Sequence, residues 1–265
     1  MISKYKLARF LLVLCVISNG LLASNKLPED FFINYELFQF IKLRNVDIEK
    51  TQILSGEINL KFKSKSKSKS KSKSKSKSKS KSKIYNINIQ LLTKKFLKLY
   101  GDKTLKSEGL ITKKGLLFET FQVKDLKKPK KNILVVFDRK KDNLKVDYKK
   151  QTTEKKFVGN LLDIPTLFLQ FHFEESKPKY TFDFIEGKKI RRVEYKKIKD
   201  EKITINGNVY LTELYEGIVP LVKNSEHFIW LSKENYRIPI KIRFKLKGGL
   251  MIDQKIKKTN LVLKN

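Results

Sequence analysis

The chain has 265 residues, 40% of them hydrophobic, enough for one domain with a real core and too many for a disordered polycation. It carries 60 basic and 27 acidic residues, a formal net charge of +33, with 53 lysines against 7 arginines. Arginine is the usual choice for bidentate reading of phosphates and bases, so this lysine excess argues against specific nucleic-acid recognition.

The N-terminus has the composition of a secretory signal. Lys4, Lys6 and Arg9 precede the apolar run Phe10 to Ile17, and Ala23 or Ser24 offers a small residue for cleavage. The run is too short to span a membrane, and Ser18-Asn19-Gly20 interrupts it. The division expected is a signal peptide over 1–23 and a single β-rich domain over 24–265. Cys15 falls inside the apolar run, so the mature chain would contain neither a disulfide nor a thiolate metal site.

The mature domain starts within Lys26 to Glu36. Ile58, Leu60 and Phe62 alternate with polar residues, as do Tyr85, Ile87, Ile89 and Leu91, giving two half-buried strands. Between them, Lys63 to Lys83 holds eleven lysines alternating with ten serines. The expectation is a disordered insertion in a hairpin loop, because one face of a strand would be all lysine and the other all serine. It reads either as gene-repeat slippage tolerated in a long loop or as a polycationic arm for an anionic membrane surface.

Phe96, Leu99 and Tyr100 have the spacing of a short helix or turn. Leu116 to Val123 is a strand. Asn132 to Asp138 and Leu144 to Tyr148 form a hairpin turning at Lys141-Asp142-Asn143, with Ile133, Val135 and Phe137 on one face. The clearest helix starts at Asp163, which can cap it. Pro165 is tolerated in its first turn, and Leu167, Phe168 and Phe171 follow at helical spacing. Tyr180 to Ile185 turns at Glu186-Gly187 into Lys189 to Ile198. A second turn is expected at Lys199-Asp200-Glu201-Lys202, then a strand from Ile203 to Tyr215 with a bulge or kink at Asn206-Gly207. Phe228 to Leu231, Ile238 to Leu246 and Leu250 to Leu263 complete roughly ten strands. Short turns make them an antiparallel meander, mainly β. One helix would plug the concave side of the resulting half-barrel.

Three segments resemble the bacterial exported family catalogued as domain of unknown function 3108. They are Ile133 to Lys140, then Leu161 to Phe168, then Ile229-Trp230-Leu231-Ser232 with Arg237-Ile238-Pro239-Ile240 and the Gly248-Gly249 turn. The resemblance implies coverage from about Asn34 to the C-terminus, with the Lys-Ser stretch as an insertion. It also implies a periplasmic location and a half-barrel similar in architecture to the periplasmic lipoprotein carriers.

Residues able to carry chemistry are few. His172 and His227 sit in different elements without metal-ligand spacing, and no phosphate loop, nucleophile elbow or zinc-protease motif is present. Asp163 fits a helix cap better than a catalytic acid. Trp230 reads as core packing on an alternating strand or as the lining of a ligand cavity. Arg191 and Arg192 point to opposite faces of a strand and do not make one clamp. No catalytic, metal or cofactor-binding residue is assigned and no cofactor is expected. The reading is a non-enzymatic cell-envelope protein binding a lipid, an acyl chain or another amphipathic ligand in the hollow of a curved sheet. The alternative is an envelope interaction protein with no small ligand, its basic surface touching anionic lipid or lipopolysaccharide.

Overall fold

A computed structural model describes residues 27–41, 53–66, 83–95, 98, 101–219, 226–234, 236–245 and 250–261. The proposed signal peptide, the central part of the Lys-Ser repeat, the predicted turn at Phe96, Leu99 and Tyr100, and the Gly248-Gly249 turn lie outside the described residues.

Among the described residues fifteen strands form one sheet. The first eight are β1 (Asp30–Ile41), β2 (Ile53–Ser66), β3 (Lys83–Thr93), β4 (Lys103–Thr112), β5 (Gly115–Asp125), β6 (Ile133–Asp138), β7 (Asn143–Tyr148) and β8 (Gln151–Lys156). After the short β9 (Leu161–Leu162) comes helix α1 (Ile164–Gln170). The chain then builds β10 (Lys179–Glu186), β11 (Lys189–Ile205), β12 (Asn208–Ile218), β13 (His227–Ser232), β14 (Pro239–Lys245) and β15 (Leu250–Thr259). Sequence neighbours pair antiparallel throughout β1 to β8 and β10 to β15. The two meanders are joined where β1 pairs with β15, and β9 runs parallel to β10 at one edge.

The sheet is curved and does not close into a barrel, as the meander pattern implied. Strand twist supplies curvature, and register shifts at Leu37/Phe38, Glu108/Gly109 and Lys197/Lys199 add to it. The gap between β5 and β9 is crossed by a side chain instead of a ladder. Arg139 donates from Nε and Nη2 to the Phe118 carbonyl and from Nη2 to the Leu161 carbonyl. Helix α1 packs on the concave side against β4, β5 and β10.

The β6–β7 hairpin has the register read from its sequence, with Ile133 opposite Tyr148, Val135 opposite Val146 and Phe137 opposite Leu144. Two expectations are corrected. Lys199 to Lys202 is no turn: β11 runs unbroken to Ile205, with a bulge at Lys197/Lys199, and the hairpin turns at Asn206-Gly207. These two residues have φ of 51° and 80°, the left-handed pair that a two-residue hairpin turn requires and that Asn-Gly adopts most readily. The Lys-Ser repeat is also partly strand. Lys63 to Ser66 extend β2, Lys83 opens β3, and Ser66 pairs with Lys83. Ser64 is small enough to sit buried on the inner face opposite Tyr85, while Lys63 and Lys65 project outward. Pairing with an Ile-rich partner supplies what the repeat's own side chains lack.

Candidate functional site

The concave face divides into a filled part and a hollow part. In the filled part Phe171, from the 3-10 turn that follows α1, is fully buried. It meets Tyr180, Phe182 and Tyr195 edge-on, with ring centroids 5.1 to 5.4 Å away. Tyr215, Leu231 and Ile229 complete this cluster.

In the hollow part a cavity of about 700 Å³ lies between α1 and the sheet. One wall is aliphatic: Leu37 from β1, Ile58 and Leu60 from β2, Ile89 and Leu91 from β3, and Leu105 from β4. Strict alternation puts these side chains on one face. The helix contributes Ile164, Leu167 and Phe168. The opposite wall carries Val193, Ile242, Phe244 and Ile252. Polar lining residues gather at strand ends. Thr93, Glu186 and Lys245 close β3, β10 and β14, and Glu226 precedes β13, so they ring one mouth. There Lys245 Nζ meets Glu226 Oε1 at 2.7 Å. That contact holds the Glu226 carboxyl below its usual range, while Glu216, hydrogen-bonded to Glu226, is held above it.

Deeper in, the two lining phenols are hydrogen-bonded. Tyr35 donates its hydroxyl to the Pro239 carbonyl at 3.0 Å, and Tyr195 shares a 3.1 Å hydrogen bond with His227 Nε2. Burial pushes both phenols well above their ordinary value, so neither ionises near neutral pH. The His227 ring lies against Phe244 and over Gly217, where any Cβ would come within 2.5 Å of its Nε2. The interior therefore offers aliphatic surface, two neutral hydroxyls, an imidazole and the Gln254 amide, with Glu186, Glu226 and Lys245 at its mouth.

The residues singled out in the sequence are dispersed. His172 hydrogen-bonds the Tyr236 carbonyl through Nδ1 at 3.0 Å, away from the cavity, and burial lowers its pKa. Among the described residues no three His, Cys, Asp or Glu side chains come together as a metal site. Asp163 caps α1. Its Oδ1 accepts from the Thr166 backbone N–H at 2.8 Å, and the Thr166 hydroxyl accepts from the Asp163 N–H. Its Oδ2 accepts from Ser107 on β4, so the cap also fastens the helix to the sheet. Burial raises this carboxyl to about 6. Arg191 pairs with Glu186 on the inner side and Arg192 pairs with Asp183 on the outer side.

Trp230 lies on the face opposite the cavity-lining Ile242 and Phe244, so it packs but does not line the hollow. Its indole N–H donates to Glu201 at 2.6 Å, and Lys241 Nζ sits 4.6 Å from its ring centre. Beneath, Asp253 is fully buried and neutralised by Arg243 at 2.6 Å and Lys241 at 3.3 Å. Composition did not single out the aliphatic wall of β1 to β4. The signal for its first strand was present, because Phe31, Ile33, Tyr35 and Leu37 recur every second residue, interrupted only by Phe32.

A family model described as a protein of unknown function, DUF3108, matches residues 67–255. The chain belongs to this family. The three segments that carried the resemblance lie within the match; β1 and β2 precede it, so the match starts later than the expected Asn34 and ends short of the C-terminus. The crystal structure of a β-barrel-like protein of domain of unknown function DUF1849 from Brucella abortus is similar, with a TM-score of 0.47 and 10% identity. The similarity covers 87% of this chain and 96% of that one. A comparison with curated proteins gives no match.

Proposed function

We propose that this DUF3108 protein is an exported, non-enzymatic envelope protein that holds the apolar part of a lipid or other amphipathic molecule in its concave cavity. The observation that carries this reading is the 700 Å³ hollow with an aliphatic interior and charges confined to one end. Cavities of roughly 300–1,000 Å³ accept small organic ligands. Each methylene moved from water into such a space gains about 0.8 kcal/mol. The hydroxyls of Tyr35 and Tyr195 in the cavity are hydrogen-bonded, and Asp163 beside it is used as a helix cap. The signal-like N-terminus supports export, the family resemblance supports the periplasm, and the exposed lysines of β2, Lys63 and Lys65, support contact with anionic membrane.

Native mass spectrometry of the mature protein, purified gently from the envelope and then extracted with organic solvent, tests the reading. A reproducible bound lipid or acylated partner is the expected result. A clean apo mass, with no uptake of a fluorescent fatty acid, would overturn it and favour an interaction protein without a small ligand.

A further inference from the structure

A second groove, of about 860 Å³, lies where β6 begins and β7 ends, and none of its lining residues lines the first cavity. Its ends are Lys130, in the 3-10 turn Pro129–Lys131, and the Lys149-Lys150 turn joining β7 to β8; Tyr148 lies on its wall. The Lys149-Lys150 turn is anomalous. Tyr148 pairs with Gln151, so these two lysines form the whole loop, and their φ angles are 51° and 63°. The left-handed conformation is unfavourable for residues with a Cβ and is normally given to Asn or Gly. The same chain obeys that rule at Asn206-Gly207, with nearly the same angles.

The strained choice concentrates charge. Lys149 Nζ lies 5.3 Å from the Tyr148 ring centre. Lys188, from the β10–β11 turn, brings its ammonium to 6.0 Å of the same ring. Among the described residues, none of Lys130, Lys149, Lys150 and Lys188 forms an ion pair with a carboxylate. Asp147, the carboxylate lining the groove, accepts a hydrogen bond from Thr152. Two turns thus bring lysines to one aromatic ring, Lys149 and Lys188 at Tyr148, while Lys130 and Lys150 line the groove beside it. Strain kept at a surface turn is a mark of function when a relaxed alternative is available.

We propose that this groove is a binding site for a phosphorylated group, held by Lys130, Lys149 and Lys150. The phosphate can belong to a soluble molecule or to a lipid headgroup. The inference stands on this geometry and is independent of the cavity's ligand.

The test is the double substitution Lys149→Asn with Lys150→Gly in the full chain. The control removes the same charge from the outer face of β2 and β4, through Lys61→Gln with Lys106→Gln. Binding is read by calorimetry with inorganic pyrophosphate, and by co-sedimentation with vesicles of phosphatidylglycerol in phosphatidylcholine at moderate salt. The turn variant should melt about 2–6 °C higher, because its backbone is relaxed. It should also bind at least tenfold more weakly, while the control keeps most of its affinity. Lys130→Gln, which leaves the turn intact, should weaken binding in the same direction. Loss with pyrophosphate assigns a soluble phosphate, and loss with vesicles alone assigns a headgroup. No binding by the parent chain, or equal losses in turn variant and control, would overturn the site and leave only nonspecific polycation behaviour.

Discussion

The filled and hollow parts of the concave face share one sheet, one curvature and one helix, yet only one of them encloses space. Around Phe171 the partners Tyr180, Phe182 and Tyr195 are aromatic and meet its ring edge-on, so that region is packed. Along β2 to β4 the residues facing the hollow are Ile58, Leu60, Ile89, Leu91 and Leu105, aliphatic side chains that leave it open towards α1 and the opposite wall. Curvature therefore permits a cavity, and the side chains facing it decide whether it is realised. An interior normally packs to crystal density, so an unfilled aliphatic region of this size is a feature to be explained.

The sharpest way to break this contrast is to change volume on both sides. Phe171→Ala empties the packed side and should cost about 3–5 kcal/mol in urea unfolding. Leu105→Trp enlarges a side chain on the hollow side. Because space exists there, its cost should stay below about 1 kcal/mol, against the 1–3 kcal/mol usual for overpacking a core. The same variant should take up a fluorescent fatty acid at least tenfold more weakly than the parent. A large loss of stability from Leu105→Trp would show that the hollow is not available volume.

The link between the two parts is α1, and Asp163 is its fastening. In the folded chain burial holds this carboxyl near 6, against 3.8 for an ordinary aspartate, so the folded state retains a proton that the unfolded state releases. Stability from this group is complete below about pH 4 and is lost as pH rises towards 6 and beyond. The change is worth about 3 kcal/mol. Asp163→Asn keeps an oxygen for the Thr166 N–H and has no charge to bury. The difference in unfolding free energy between parent and variant should therefore shift by about 2 kcal/mol between pH 4 and 7, in the variant's favour at the higher pH. A difference independent of pH would mean that Asp163 does not titrate in this window.

How much of this was legible in the sequence follows from which physical signals are local. Period-two alternation showed the β2, β3, β6 and β7 strands and the β6–β7 register, because each side chain's face is fixed by its own neighbours. The cap at Asp163 was legible because an Asp with Pro165 and an apolar run behind it is a local pattern. β8 was not legible: all six of its residues are exposed, so pairing alone holds it and no apolar residue marks it. β4 was hidden because its inward positions include Ser107 and Gly109. The turn at Asn206-Gly207 was misplaced because the charged stretch Lys199 to Lys202 looks like a loop. In fact its side chains form ion pairs along an exposed strand, such as Lys199 with Glu201. Trp230 could not be assigned a face, since β13 is covered on both sides. The cavity could not be read at all, because its size depends on distances between strands that are far apart in the chain.

The smallest expected effect concerns the Lys-Ser repeat, which joins two strands of the hollow side. Ser66 and Lys83 already face each other in register, so residues 67–82 can be replaced by Asn-Gly as a two-residue hairpin turn. Shortening that connection reduces the loop-closure entropy by a few doublings of length, raising stability by at most about 2 kcal/mol. Removing Lys63 to Lys83 entirely acts in the opposite direction. It deletes the paired residues Lys63 to Ser66, the buried Ser64, and the 2.6 Å hydrogen bond from its N–H to the Glu29 carbonyl. Thermal melts of the two deletions should therefore move to opposite sides of the parent. If both rise together, the serines of Lys63 to Ser66 add nothing to the sheet, and the whole repeat is a connection like any other.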